Sequence, residues 1–443
     1  MVSLVSRLKG SAILRLSFLS PSSSFGRRSP TMSAAMSTVT SININSPADE
    51  PLTSSKPGPS PWLMLPPKAG DTLVCNFYNL AEDRVESFGV ELPDSNDAVL
   101  VGSSHGWLAF FNRRNNHVFL SNPLSGRLLK LPSIDALLDY EMNLRGGRGT
   151  VSKLILSSSP ERDDCRAMIS FGPGHRPAFC SPGCSSTTHW TSLGDWLYEN
   201  KKLFPDGPAK YTDARTYEDL VYNSILRKFN FITEFQIAHD SGELSRPTRL
   251  EEHRLHGLPQ MVAYCLGPLM STEDGLGDRG FSWMSKAEGE KSLSWLKENK
   301  TLLESCVQIP YLLFNEQCDG LYIMTRFLNA GPYKTIGFLV LKLEYKNEGF
   351  PAKLRVVDSL DGLALFVGLN HSFAVSSPAE FGLKPNSIYF TDAANARVMP
   401  PAINGHDNGI FDYGNKTLSP CPGPDYDDAQ TLSTPVWFTP SPY

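Results

Sequence analysis

Short apolar runs separated by turn residues dominate the chain from Asp71 onward. Thr72–Phe77, Val85–Val90, Ala98–Val101, Gly106–Phe111 and Val118–Ser121 follow one another at intervals typical of strands joined by tight turns, and Asn122-Pro-Leu-Ser-Gly126 reads as one such turn before Arg127–Pro132. The pattern continues through Val151–Ser158, Ala167–Phe171, Pro177–Cys180, Trp190–Leu193 and Tyr217–Tyr222. It resumes at Gln308–Phe314, Leu321–Phe327, Ile336–Leu343 and Lys353–Val357, then at Ala364–Val367, Phe373–Ser376 and Ser387–Thr391, and it ends with Gly409–Tyr413 and Val436–Phe438. Between them, about 250–305 reads as an insertion: a Gly/Asp-rich loop precedes Ser292–Ser305, where Leu293, Leu296, Leu302 and Leu303 approximate one helical face. The expected class is all-β with one partly helical insertion.

Composition agrees with that pattern. The 34 Gly and 34 Pro are spread along the 443 residues, as many short strands and turns require, and 41% hydrophobic residues supply ample core. No run approaches the roughly 18 apolar residues of a membrane span.

The first 48 residues differ from the rest. They carry Arg7, Lys9, Arg15, Arg27 and Arg28, are rich in Ser, and contain no acidic residue before Asp49, a composition expected of an organellar transit peptide over residues 1–45. Val5, Leu8, Ile13, Leu16 and Leu19 near one helical face favour a mitochondrial destination, with a plastid as the alternative. Residues 46–60 read as a Pro/Ser linker, and 61–440 as the folded domain.

Charge narrows the partners. The whole chain is −5 at neutral pH, and its basic leader makes the remainder five units more acidic, so a phosphate backbone is disfavoured; Arg113-Arg114 and Lys201-Lys202 are small basic clusters on that acidic body. The eight cysteines form no C-x-x-C pair and read as buried hydrophobes.

Asp358-Ser-Leu, Ala364-Leu-Phe, Gly368-Leu-Asn and Lys384-Pro-Asn-Ser-Ile-Tyr-Phe-Thr-Asp392 resemble the closing part of the plant F-box-associated β-propellers, the KIB-type propellers grouped as domain of unknown function 295. Gly102-Ser-Ser-His-Gly-Trp-Leu108 with Asn122-Pro and Leu131-Pro132 resembles a first complete, kelch-like blade, and Pro61-Trp-Leu-Met-Leu-Pro66 resembles the opening segment. The resemblance implies a kelch-like propeller, and about 350 residues at roughly 50 per kelch-like blade suggest six or seven blades. Relatives that serve ubiquitin ligases carry a helical F-box before it. Here that space holds the basic leader and linker, so an organellar branch lacking the F-box is expected, with no ligase adaptor as partner.

Several patterns imitate catalytic or ligand sites. Gly102-Ser-Ser-His-Gly106 satisfies G-x-S-x-G, but a strand follows where a nucleophile elbow needs a helix, so Ser104 reads as a turn residue and Trp107 as a core side chain. Gly275-Leu-Gly-Asp-Arg-Gly280 satisfies G-x-G-x-x-G without the strand and helix a dinucleotide needs. His175, Cys180, Cys184 and His189 lie close in sequence, yet H-x4-C-x3-C-x4-H is not a standard zinc spacing. Asp163-Asp164 and Asp427-Asp428 read as solvated turns, and the sequons at Asn299, Asn370 and Asn415 matter only in a secreted chain. No catalytic residue, metal or cofactor is therefore expected. The reading is a non-catalytic interaction propeller that presents one face of loops to a protein partner, with a ligase substrate receptor as the alternative and an enzyme or zinc protein using 175–189 as the second.

Overall fold

The computed structural model describes residues 60–66, 73–93, 97–138, 150–172, 175–183, 189–192, 216–225, 227–234, 248–253, 260–266, 290–317, 320–329, 334–346, 350–391, 407–424 and 434–441. The transit peptide, nearly all of the linker, the Gly275 loop, Cys184 and Asp427-Asp428 lie outside the described residues.

Among the described residues, strands pair within six separate sheets, five of four strands and one of five. Sheet 2 is the plainest, running outward as Ala98–Ser104, Trp107–Asn112, His117–Asn122 and Arg127–Ser133, all antiparallel. Sheet 3 repeats this with Val151–Leu156, Ala167–Phe171, Arg176–Cys180 and Thr191–Ser192. Sheet 5 does so with Val307–Asn315, Gly320–Leu328, Thr335–Lys346 and Phe350–Val356. The inner strands Val436–Phe438, Ala98–Ser104, Val151–Leu156, Thr216–Asn223, Val307–Asn315 and Phe373–Val375 stand side by side in that order around a common axis. That arrangement is a β-propeller.

Two sheets depart from the plain meander. In sheet 4, Lys228–Glu234 pairs in parallel with Gln260–Leu266, and Thr248–His253 takes the outer edge. The first part of the segment expected as an insertion therefore belongs to the sheet, and the helical part, Glu290–Glu298 and Lys300–Glu304, comes after it. In sheet 6, Ala364–Val367 pairs in parallel with Ser387–Phe390, and Phe373–Val375 folds back to the inside.

The ring is closed by the first and last described strands. Val436–Phe438 pairs with Trp62–Met64, so that Leu63 stands opposite Trp437, and Leu73–Asn79 and Arg84–Val90 complete sheet 1. Trp437 is fully buried, with its ring edge-on to Phe366 and Tyr389 of sheet 6. Joining first and last strands in one sheet makes ring opening a cooperative event.

Apolar side chains fill every gap between neighbouring sheets. A strand packed on both faces needs apolar residues at nearly every position, which is why Trp107–Asn112 and Gly320–Leu328 are buried throughout. The outer strand Arg84–Val90, open on one side, is largely exposed by contrast.

One turn recurs around the ring. Asn79, Asn112, Asn122, Asn223 and Asp412 each end a strand, and four residues later Asp83, Asn116, Gly126, Arg227 and Lys416 all have φ between 51° and 70°. The side-chain oxygen accepts from the backbone ahead: Asn112 from Arg114 and Asn115, Asn122 from Leu124 and Ser125, Asp412 from Asn415. An Asx turn followed by a left-handed residue reverses the chain without a long loop.

Outside the ring, the Glu290–Glu298 helix is fixed by Asp358, whose carboxylate accepts from the Ser292 amide at 2.8 Å and the Lys291 amide at 3.1 Å. Anion capture at a helix N-terminus satisfies amides that have no intrahelical partner.

Candidate functional site: the filled central channel

In a propeller the axial channel is where polar groups from different sheets converge, so the innermost strands are the place to look for chemistry. Four of them bring Ser104, Lys153, Asp219 and the Leu312 amide toward the axis. The fifth contribution is a loop of sheet 6, residues 368–372, between Ala364–Val367 and Phe373–Val375.

That loop crosses the axis and is hydrogen-bonded to three other sheets. The His371 amide donates to the Ser103 carbonyl at 2.8 Å. Its ring lies 3.4 Å from Ser104 Oγ through Nδ1, and its Nε2 accepts from the Tyr222 amide at 3.4 Å. Lys153 Nζ reaches the Gly368 carbonyl at 3.5 Å, and Leu369 packs on the apolar cluster between sheets 1 and 2. Asn370 ties the loop to itself through the Phe366 and His371 carbonyls. Gly368 (φ 158°) is needed here, because a Cβ would meet Thr391 Oγ1 at 2.1 Å.

Beneath the loop, Lys153 Nζ and Asp219 Oδ1 form an ion pair of 2.6 Å between side chains 3% and 2% exposed. Asp219 Oδ2 accepts from the Leu312 amide at 2.8 Å, so one carboxylate joins sheets 3, 4 and 5. Two charges buried together persist only when both are paired and the remaining lone pairs are used. This arrangement meets both conditions.

His371 is held neutral. Burial pushes its pKa well below the usual histidine range, and the neighbouring His105 and Lys153 push it the same way. His105 occupies a two-residue hairpin with Gly106 (φ 51° and 78°), opens to solvent at the channel mouth, and is also lowered, chiefly by desolvation from the protein around it. The two rings are 5.7 Å apart.

These contacts decide the role of Ser104. Because an amide N–H can only donate, His371 Nε2 must carry the lone pair and Nδ1 the proton, so Nδ1 donates to Ser104 Oγ. Ser104 also accepts from the Leu156 amide at 3.2 Å and sends its own proton toward the Leu156 carbonyl at 3.4 Å. The imidazole next to Ser104 is not placed to take its proton. Ser104 is the last residue of the strand Ala98–Ser104, one position before the His105-Gly106 turn in which the sequence placed it, and it stitches sheet 2 to sheet 3.

The three described candidate zinc ligands, His175, Cys180 and His189, do not gather at one site. Cys180 is buried in the cluster between sheets 2 and 3, opposite Ala167. His175 sits in the turn just before the other end of that strand, about 16 Å away at roughly 3.3 Å per residue, with its Nδ1 2.8 Å from Ser152 Oγ. His189 is exposed. Among the described residues no three His, Cys, Asp or Glu side chains gather as a metal site. Cys75, Cys165 and Cys180 are buried thiols, raised by burial, and Asp163 and Asp164 are exposed.

A second buried charge fastens the gap between sheets 5 and 6. Arg326, fully buried, donates to Thr335 Oγ1, Tyr311 Oη, the Thr391 carbonyl, and both the carbonyl and carboxylate of Asp407. Its guanidinium lies 4.6 Å over the Phe390 ring. Neither this cluster nor the Lys153 to Asp219 pair was singled out from sequence.

Two comparisons place the chain. The F-box protein At4g00893 of Arabidopsis thaliana is 28% identical over 130 residues, a stretch that spans 28% of this chain and 29% of that protein. The family model described as the KIB1-4 beta-propeller matches residues 77–412, from the second strand of sheet 1 to the fourth of sheet 6. With that match running over most of its length, the chain belongs to the KIB1-4 β-propeller family.

Proposed function

We propose that this protein is a non-catalytic interaction module whose six sheets act as six kelch-like blades and whose partner is a protein bound on the loops at one end of the channel. The observation that carries this reading is the filled axis. The loop 368–372 occupies the place where a propeller enzyme would hold its substrate, and the titratable and nucleophilic side chains there, Ser104, Lys153, Asp219 and His371, are engaged within the protein. What the channel mouth offers outward is a loop surface: His105, Glu161, Arg162, Asp164, Ile225, Arg227 and Glu316 are exposed on connections between first and second strands. Loops on a rigid scaffold are the usual place for recognition.

The test is crosslinking capture with the tagged full chain and with an I225D/R227E variant. A partner enriched by the first and lost by the second, with an unchanged melting temperature, supports the reading. Saturable turnover of a small molecule by the purified chain would replace it.

The basic, acid-free leader supports a mitochondrial setting, with a plastid as the alternative. Residues 1–60 fused to a fluorescent protein should carry it into mitochondria, and R7E/R15E/R27E/R28E should leave it in the cytosol. A diffuse signal from the unaltered fusion would end this part of the proposal. The F-box relative supports a second reading, a substrate receptor of a ubiquitin ligase; co-precipitation of the full chain with a ligase adaptor would bring it forward.

A further inference from the structure

The hairpin between Trp107–Asn112 and His117–Asn122 carries two adjacent arginines that the channel and the core do not use. Arg113 and Arg114 are exposed, and together with Asp97 and Asn116 they line an open cavity of about 370 Å³. We propose that this cleft binds an acidic peptide segment of a protein partner, with carboxylates on the two guanidiniums and a peptide N–H or hydroxyl on Asp97. The inference rests on the interaction reading above and gives the partner a chemistry, with an acidic segment of that partner reaching round to the opposite end of sheet 2 from the His105 hairpin, since Arg113 and Arg114 follow the second strand.

Several observations converge. The hairpin is built rigidly: Asn112 Oδ1 accepts from the Arg114 and Asn115 amides, the Arg113 amide donates to the Asp97 carbonyl at 2.9 Å, and Asn116 Nδ2 donates to Asp135 at 2.7 Å. Two guanidiniums are therefore presented from a fixed backbone, which lowers the ordering cost of binding. Three other exposed arginines hold carboxylates of their own, Arg84 with Glu82 and Glu86, Arg127 with Glu161, and Arg162 with Asp164. Among the described residues, neither Arg113 nor Arg114 has such a partner. A planar guanidinium fork matches a carboxylate with two parallel hydrogen bonds, and on a net acidic chain such a pair stands out as a local positive site. Asp97 across the cleft tells against a nucleic acid, since a continuous phosphate backbone would have to pass a carboxylate. A peptide alternates acceptors with N–H donors and so satisfies both sides.

The experiment titrates full-length protein into a fluorescein-labelled hexaglutamate peptide and follows anisotropy. Saturable binding that weakens with added salt is expected, with at least about a tenfold loss in R113E/R114E, a gain in D97N, and no change in the R84E control. Arg84, Arg113 and Arg114 are exposed and Asp97 is half-buried at the cleft wall, and all three variants should melt as the parent does. Absence of saturable binding by the parent chain, or undiminished binding by R113E/R114E, overturns the proposal. So does equal affinity for an oligothymidylate with the same dependence on Arg113 and Arg114. If a captured protein partner is retained by R113E/R114E, the interaction reading stands and this site falls alone.

Discussion

Lys153 and Asp219, sixty-six residues apart in sequence, form a 2.6 Å ion pair at the centre of the ring, each almost wholly shielded from water. Removing one partner strands the other charge in a medium that solvates it poorly. K153M and D219N should each cost about 3 to 5 kcal/mol. The double variant K153M/D219N should cost less than the sum, with a coupling of about 2 kcal/mol or more, because no charge is then left alone. Chemical denaturation of the four proteins measures the cycle, and additive losses would show that the pair is not coupled.

Gly102 marks how closely sheets 2 and 3 approach at the axis. A Cβ there would lie 2.3 Å from the Leu154 carbonyl oxygen, which is backbone and cannot rotate away, whereas one at Gly89 meets nothing within 4 Å. G102A should therefore lower stability by roughly 1 to 3 kcal/mol through overpacking, and G89A should be near neutral. Equal melting temperatures for the two variants would mean that the strands separate at no cost.

Trp107 is 1% exposed and belongs to the cluster between sheets 2 and 3. W107A should cost roughly 3 to 5 kcal/mol by lost burial and a residual cavity. A melting temperature that hardly moves would show that the cluster collapses around the gap.

How far these features could be read beforehand depends on how local they are. The strands of sheets 2 and 5 were legible because burial on both faces writes a near-continuous apolar run between turn residues, and the closing part was legible from the residues around Asp358, Gly368 and Lys384. The recurrent turn was legible only at Asn122–Gly126, since the left-handed position elsewhere is Asp83, Asn116, Arg227 or Lys416 and carries no glycine signal. The channel filling was not legible at all. Ser104 and His371 are separated by 267 residues, and no periodicity reports a contact of that range. Sheet 4 was misjudged for a related reason: a parallel pair, Lys228–Glu234 with Gln260–Leu266, needs a long connection that looks like an insertion. His175 and Cys180 show the converse, since neighbours in sequence are carried apart when a strand runs between them.

His371 gives the fold an acid-sensitive point. Its folded pKa lies well below the usual 6.5, so the unfolded chain binds its proton first as pH falls. The stability it contributes is present above about pH 6.5 and is lost as pH drops toward the folded value. Protonation also removes the lone pair that accepts from the Tyr222 amide. Denaturant midpoints for the parent should fall between pH 7 and pH 5, and H371Q should show a flatter profile over that range. Parallel profiles would assign the acid sensitivity to other groups.

Lys416 should act at the opposite end of the pH scale. Its ammonium sits 3.2 Å from the Tyr413 ring centroid and donates to Ser292 Oγ at 3.0 Å, while burial lowers its pKa from 10.5 to about 7 against the opposing pull of Asp358 and Asp412. Between those two values the unfolded chain holds a proton that the folded chain has released. Stability from this group must therefore rise with pH from about 7 to about 10.5, the penalty being full and constant below that window. Because the side chain is only partly covered, solvent screening reduces the effect, and a rise on the order of 1 kcal/mol between pH 7.5 and pH 9.5 is expected. Other groups titrate in the same range, so the comparison is with K416M, which keeps the stem on Tyr413 and removes the proton. Denaturation curves for the two proteins at both pH values should diverge in slope, with K416M the flatter. If the parent instead loses stability on going alkaline relative to K416M, the ammonium is stabilised where it lies, and the contact with the Tyr413 ring outweighs the cost of its burial.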